Sequence, residues 1–295
     1  MAATTLRKLL QEEEFLVCPG VYDGVSGRTA LKKGFKCMYM TGAGTVSSRF
    51  GCPDIGVAGL TDMHTNAAMI SSLDPKVPVI ADADTGYGGT FMCARTLKMY
   101  AQSGVAGLHI EDQIQAKRCG HLGGKELVSI EEYLSRIQAM VIAREEIKSD
   151  IVIIARSDAL QQLGIDEAIK RCKAAIDIGA DVAFVEGITT EEEARKVIQS
   201  LNPSPVLINM VTNGDTPNWT VSQAKDMGFK LSIHPCTSIV AASIAIGKAM
   251  DYLLEDGTDE KACEGFTPKE SFMQMGLASA IALDAKVGGK FYSNV

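Results

Sequence analysis

A chain of 295 residues with a formal net charge of −7, 46% hydrophobic and 22% charged residues has the make-up of a soluble globular protein. The acidic balance disfavours a nucleic-acid surface, which needs a concentrated basic face, and no uninterrupted apolar run approaches the roughly 20 residues that span a bilayer. The eight cysteines form no C-x-x-C pair and the first residues lack the apolar core of a secretory signal, so reduced thiols and a cytoplasmic location are expected.

Short apolar, β-rich runs recur along the chain. They are Leu16-Val17-Cys18, Cys37-Met38-Tyr39-Met40, Val77-Pro78-Val79-Ile80, Gly107-Leu108-His109-Ile110, Ile151-Val152-Ile153-Ile154, Val182-Ala183-Phe184-Val185, Val206-Leu207-Ile208-Asn209 and Leu231-Ser232-Ile233. Continuous apolarity suits strands buried on both faces, as in a parallel sheet sheathed by helices. Amphipathic segments separate the runs. Ser129 opens a helix that is expected to reach about Lys148, and Thr189-Thr190 followed by three glutamates opens another. Gly34, Gly104, Gly179 and Gly228 each fall between a helical segment and the next strand, the place where a left-handed C-cap is needed. Eight such units predict an α/β fold, a closed (β/α)₈ TIM-type barrel over residues 1–246, with a helical C-terminal extension over 247–295. An open, doubly wound sheet is the alternative. A dinucleotide site is discarded, because Ser47 stands where Gly42-Ala43-Gly44 would require its third glycine.

In a barrel the C-terminal strand ends converge on one rim, where catalytic groups collect. Here the strand ends carry Tyr39-Met40-Thr41-Gly42-Ala43, Asp82-Ala83-Asp84, Glu111-Asp112, Arg156-Ser157-Asp158, Glu186, Asn209 and His234-Pro235-Cys236-Thr237. Asp82 and Asp84 share one face of an extended strand, and Glu111 on the next strand can join them. Crowded carboxylates call for a cation, and an all-oxygen set suits Mg²⁺, or Mn²⁺ in its place. Solvated acids at strand ends are the plainer alternative. The four histidines lack zinc-ligand spacing. Arg156 offers a planar fork for a carboxylate or a developing enolate, or for bridging acids inside the barrel.

The run Lys117-Arg118-Cys119-Gly120-His121 sets a thiol between two cations and an imidazole. Such neighbours are expected to lower the pKa of Cys119 and fit it for proton transfer. Gly120 and Gly123-Gly124 leave the segment free to act as a lid.

Taken together, Pro19-Gly20-Val21-Tyr22-Asp23, Tyr39-Met40-Thr41-Gly42, Ala81 to Gly88, His109-Ile110-Glu111-Asp112-Gln113 and Lys117 to His121 resemble the motifs of the isocitrate lyase and phosphoenolpyruvate mutase superfamily. The resemblance runs from about Leu6 into the C-terminal helices. It implies a barrel whose eighth helix is exchanged between subunits, commonly in a homotetramer built as a dimer of dimers. It also implies Mg²⁺ held by Asp84, with Asp82, Asp54 and Glu111 acting directly or through water. Thr41, Gly42 and Ala43 would hold the carboxylate of a 2-oxo product, with Tyr39, Gly120 and Pro235 contributing to the substrate site. Arg156, His121, Glu186 and Asn209 would line the remaining pocket, and Cys119 would protonate the enolate.

Members with this cysteine motif resemble carbon–carbon lyases rather than phosphonate mutases. Methylisocitrate lyases commonly carry a basic residue after the motif histidine, where this chain has Leu122. A small dicarboxylate is therefore expected, as in the 2,3-dimethylmalate lyase branch. Related oxaloacetate acetylhydrolases are expected to carry serine at the site aligned with Pro235, where proline offers no donor. A metabolite-binding barrel without catalysis is the reading of a different class.

Overall fold

Every strand is followed by one or two helices before the next strand in the computed structural model, which describes residues 2–293. In chain order the elements are α1 (Ala2–Glu12), β1 (Leu16–Val21), α2 (Gly24–Lys32), β2 (Met38–Met40), α3 (Gly42–Phe50), α4 (Leu60–Leu73), β3 (Val79–Asp82), α5 (Thr90–Gln102), β4 (Gly107–Glu111) and α6 (Ile130–Glu146). They continue with β5 (Val152–Ser157), α7 (Leu160–Leu163), α8 (Ile165–Asp177), β6 (Val182–Val185), α9 (Glu191–Leu201), β7 (Val206–Asn209), α10 (Val221–Met227) and β8 (Leu231–His234). The chain ends in α11 (Thr237–Asp256), α12 (Glu260–Cys263), α13 (Pro268–Gln274) and α14 (Leu277–Lys286).

All eight strands pair in parallel and in chain order, and β1 closes on β8, with Leu16 opposite Leu231. The barrel read from the sequence is thus present, and the open sheet is excluded. Each expected strand lies within two residues of its start. The glycines at helix ends adopt the left-handed conformation expected of them, with φ of 82° at Gly34, 84° at Gly104, 115° at Gly179 and 103° at Gly228. Helix starts are fixed locally too: Thr190 and Thr220 each form a reciprocal capping box with the residue three positions on.

Strand periodicity divides the side chains into two sets. Leu16, Tyr39, Ile80, Ile154, Phe184 and Leu207 belong to one buried cluster inside the barrel, which also takes in Leu6 of α1. The alternate residues Met40, Ala81, Leu108, Ile153 and Ala155 pack outward beneath the helices. Leu6 is fully buried, and the Cβ that Gly107 lacks would lie 2.9 Å from its Cδ2. α1 therefore plugs the N-terminal mouth and leaves the opposite rim for chemistry.

α11 runs unbroken across positions 246 and 247, the boundary read from the sequence. It carries no buried residue, and Val240, Ile244, Ile246, Met250 and Leu254 are exposed along it. At 20 residues it is long and apolar enough to cross a bilayer by composition alone. The sequence estimate missed this, because Lys248 and Asp251 interrupt the run without cancelling its mean hydropathy.

Candidate active site at the C-terminal rim

The inward faces of the strands continue upward into polar groups. Two residues beyond Ile80 comes Asp82, beyond Ile154 Arg156, beyond Phe184 Glu186 and beyond Leu207 Asn209, while His109 and Glu111 follow Gly107 on β4. A period of two therefore turns a hydrophobic interior into a polar floor without changing the strand. Tyr39, His109 and Phe184 form that floor. Tyr39 and His109 are stacked at 5.6 Å, His109 meets Phe184 edge-on at 5.7 Å, and Arg156 lies 5.2 Å above the Phe184 ring. The Tyr39 hydroxyl is 2.8 Å from His109 Nε2 and 3.5 Å from Asp82 Oδ2. Burial pushes His109 down to about 4, so it is neutral.

Above the floor lie the acids. Asp82 Oδ1 accepts a 2.8 Å bond from the Asp84 amide, which fixes the turn between them, and Asp84 has a φ of 46°. Lys117 Nζ enters this group, 2.7 Å from Asp54 Oδ1 and 2.6 Å from Asp84 Oδ1. Burial pushes Asp84 up to about 7; Lys117 partly offsets it, while Asp82 and Asp54 add to it. Glu111 is fully buried, neither of its oxygens has a hydrogen-bond partner, and burial raises its pKa well above the usual carboxylate range. Arg156 Nη1 stands 3.2 Å away as an ion pair only.

Among the described residues no three acid, histidine or cysteine side chains are already gathered as a metal-ligand set. The donor chemistry nevertheless fits a hard divalent ion. Four carboxylates share one mostly buried place, and Glu111 keeps two orphaned oxygens that a cation or its waters could satisfy.

Arg156 is a shared cation. Asp158 takes it bidentately, at 2.9 and 3.0 Å, and Glu186 Oε2 lies 3.3 Å from it. Asp158 is held in turn by Asp112, which accepts from its amide at 2.8 Å and from the Ser157 hydroxyl at 2.7 Å; Arg171 supports Asp112 at 3.1 Å. On the other side Asn209 donates to Glu186 at 2.9 Å, and His121 Nε2 is 3.4 Å from Asn209 Nδ2 and 3.6 Å from Glu186 Oε1.

The N-terminus of α3 faces the same acids. Thr41 caps it by accepting from the Gly44 amide at 3.2 Å, which leaves the Gly42 and Ala43 amides as the first free donors. A Cβ on Gly42 would collide with the Asp82 carboxylate. Pro235 is buried at the end of β8, its carbonyl pressed on Gly20 of β1. Thr237, two residues on, lines an apolar groove beside β1.

The segment from Gln113 to Leu127 lies over the rim. Its neck is a bridge between those two residues, reinforced by an Ile114 to Glu126 bond of 2.9 Å. Gln113 holds both the amide and the carbonyl of Arg118, and the Cys119 amide donates to the Asp54 carbonyl at 3.0 Å. Buried Lys125 bonds the Gly120 carbonyl and pairs with Asp158 at 3.3 Å. Gly120 is so close to the pocket that a Cβ would lie 2.5 Å from Arg156 Nη2 and 2.6 Å from Glu186 Cγ.

One expectation about this segment needs correction. Lys117 turns away from the thiol into the acids, and burial pushes Cys119 up to about 11, with Asp54 and Glu186 adding to the effect. The thiol therefore keeps its proton. Leu122, which follows the motif histidine, is 46% exposed. Lys125 escaped the sequence reading and left no signal in it, while Asp112 and Asp158 were read as strand-end acids without a role; their role is to orient Arg156.

A closed parallel barrel whose acids, shared arginine and thiol-bearing cover meet at the C-terminal rim is the construction of a barrel enzyme. Comparison with known proteins specifies which. The profile of the phosphoenolpyruvate phosphomutase family matches residues 6–254, and the chain belongs to the phosphoenolpyruvate mutase/isocitrate lyase superfamily. It is 50% identical to a solved oxaloacetate acetylhydrolase in complex with 3,3-difluorooxalacetate, over 98% of each chain at a TM-score of 0.96. It is equally 50% identical to a solved 2,3-dimethylmalate lyase, over 100% of this chain and 98% of that one, at 0.95. The 2,3-dimethylmalate lyase of Eubacterium barkeri is 38% identical over 256 residues, 87% of each chain.

Proposed function

We propose that this enzyme is a divalent-metal-dependent carbon–carbon lyase that cleaves a 2-alkylmalate-type dicarboxylate, such as 2,3-dimethylmalate, into pyruvate and a short carboxylate. The observation that carries the reading is the seating of Cys119 on a segment closed over Arg156 and the acids, with Gly120 against Arg156 and the Cys119 amide on the Asp54 carbonyl, where burial pushes the thiol up. Cleavage leaves an enolate that needs a proton, and a half-buried thiol that keeps its proton is a donor rather than a nucleophile.

Asp84, Asp82, Asp54 and Glu111 would hold the ion, Mg²⁺ by its oxygen-only donors or Mn²⁺ in its place. When bound, it supplies Lewis-acid stabilisation of the oxygens of a 2-oxo acid. The chain's own groups do the rest. The Gly42 and Ala43 amides grip a carboxylate, with the Thr41 cap and the Tyr39–His109 floor fixing their position. Arg156, oriented by Asp158, neutralises developing charge. Glu186, Asn209 and His121 bound the pocket opposite, and Gly120 lets the cover approach without collision. The enclosure excludes water from the enolate.

Oxaloacetate hydrolysis to oxalate and acetate is the second reading, favoured by the equal identity to an oxaloacetate acetylhydrolase. Pro235 argues against it, since proline offers no side-chain donor at its own position after β8. Turnover of 2,3-dimethylmalate, 2-methylisocitrate and oxaloacetate should be compared with Mg²⁺ present. Pyruvate release from dimethylmalate is expected to be fastest; faster oxalate release from oxaloacetate sinks the lyase assignment.

A homotetramer assembled by helix exchange belongs to the same proposal. It is supported by the exposed apolar residues of α11 and by a groove of about 330 Å³ that Pro19, Val21, Tyr22, Val25, Ala30 and Phe35 help to line. In such an assembly the helices after about position 247 would contact the partner, and α11 would meet protein rather than lipid. All eight cysteines are free thiols, which suits a reducing, cytoplasmic setting.

A further inference from the structure

Lys125 is 2% exposed and lies at the returning end of the segment that covers the rim. Burying an ammonium ion is costly unless its charge is paired and its protons are bonded, and two partners meet that demand. One is the Gly120 carbonyl, within the cover itself; the other is Asp158 Oδ1 at 3.3 Å, just beyond β5. Asp158 is at the same time the bidentate partner of Arg156. One carboxylate thus serves two cations, of which one belongs to the pocket and the other to the cover. The main chain of Lys125 is held separately, since the Gln162 side chain of α7 donates to its carbonyl.

What the ammonium group holds is a close contact between cover and pocket. Gly120 follows Cys119, and a Cβ there would lie 2.5 Å from Arg156 Nη2, so the glycine can take this place only while the arginine keeps to its own. The Asp158 carboxylate orients that arginine and, through Lys125, the glycine carbonyl as well. We propose that Lys125 is a positioning residue that registers Cys119 and Gly120 against Arg156 through Asp158, so that the thiol is seated only over an aligned arginine. This rests on the reading of Cys119 as the proton donor. Gln113, bonded to both the amide and the carbonyl of Arg118, keeps the shape of the cover; Lys125 sets where that shape sits.

Iodoacetamide labelling of Cys119 at about pH 8, read by peptide mass spectrometry, should be compared among the wild type, Lys125→Met, Asp158→Asn and the double variant. Lys125→Met removes a cation, which does nothing to ease ionisation of the thiol, so a faster rate reports access to the sulfur. Each single variant is expected to label about tenfold faster than the wild type, the worth of one hydrogen bond to a charged group. The double variant should stay within about twofold of either, because both substitutions remove the same tie. Cys172, fully buried, should stay unlabelled, and turnover of 2,3-dimethylmalate should fall about tenfold or more in Lys125→Met. Effects that multiply in the double variant, labelling of Cys172 in step with Cys119, or unchanged turnover in Lys125→Met each overturn the proposal. So does labelling of Cys119 at the wild-type rate in Asp158→Asn, which decides even if Lys125→Met fails to fold. Labelling needs no substrate, so a wild type that turns over none of the three acids removes the lyase reading, whereas multiplying labelling effects remove the role of Lys125 alone.

Discussion

Burial at Cys119 reverses what its neighbours in sequence imply. Two cations flank the thiol along the chain, but Lys117 discharges onto Asp54 and Asp84 while Asp54 and Glu186 face the sulfur. With a thiol pushed up to about 11, iodoacetamide should label Cys119 far more slowly at pH 8 than it labels exposed Cys263. Peptide mass spectrometry would show it, and parity between the two would contradict the neutral thiol. Cys119→Ser is expected to fold normally and bind a 2-oxo acid, as read by calorimetry, while losing turnover by about 10²-fold or more. At this scale the chemistry-bearing types were legible, because Asp82, Glu111, Arg156, Glu186 and Asn209 each end a strand. Their partners were not: the Lys117 contacts cross from a loop to two other segments, and no local spacing encodes them.

Elements were the most legible level, for a physical reason. Strands buried on both faces are uniformly apolar, and a helix that must stop before such a strand needs a left-handed residue, so both leave local marks. Gly228 illustrates how strictly. Its φ is 103°, and a Cβ would lie 2.8 Å from Ile198 Cγ2 of α9. Gly228→Ala is expected to destabilise the fold by about 1–3 kcal/mol through backbone strain and crowding together, measured by urea unfolding. A change below about 0.5 kcal/mol would show that the α10 to β8 corner relaxes freely. What stayed hidden was the segment from Gln113 to Leu127, whose order comes from Gln113, Lys125 and a single bridge rather than from any periodic pattern.

The acid set matters to the stability of the whole molecule as well as to its site. Asp84 ionises at about 7 in the folded chain against an ordinary 3.8, so folding favours its protonated form. Its stabilising contribution is full below the ordinary value and is lost as pH rises through about 7. A divalent ion takes the ionised form and restores what is lost. Mg²⁺ should therefore raise Tm more at about pH 8 than at about pH 5.5; an equal rise at both would place the ion elsewhere. Assembly can be tested at the same scale. Ile244→Glu puts a charge on the exposed apolar face of α11, and sedimentation is expected to show smaller species than the wild type. An unchanged oligomer would dissociate that face from subunit contact. Barrel closure was readable from eight repeated units and the helical extension from the chain after them, whereas the place where the extension docks was not, since helices with no fully buried residue carry no pattern pointing to where they go.

The bridge between Gln113 and Leu127 has one more effect. It pinches the intervening residues into a single hasp, so Lys117, Cys119, Gly120 and His121 leave the rim together or stay together. In the proposed reaction a proton donor tied in this way to a counter-ion, to the glycine against Arg156 and to the imidazole beside Glu186 is not offered to an open pocket. When the hasp is raised, the Cys119 thiol is withdrawn from the pocket with it.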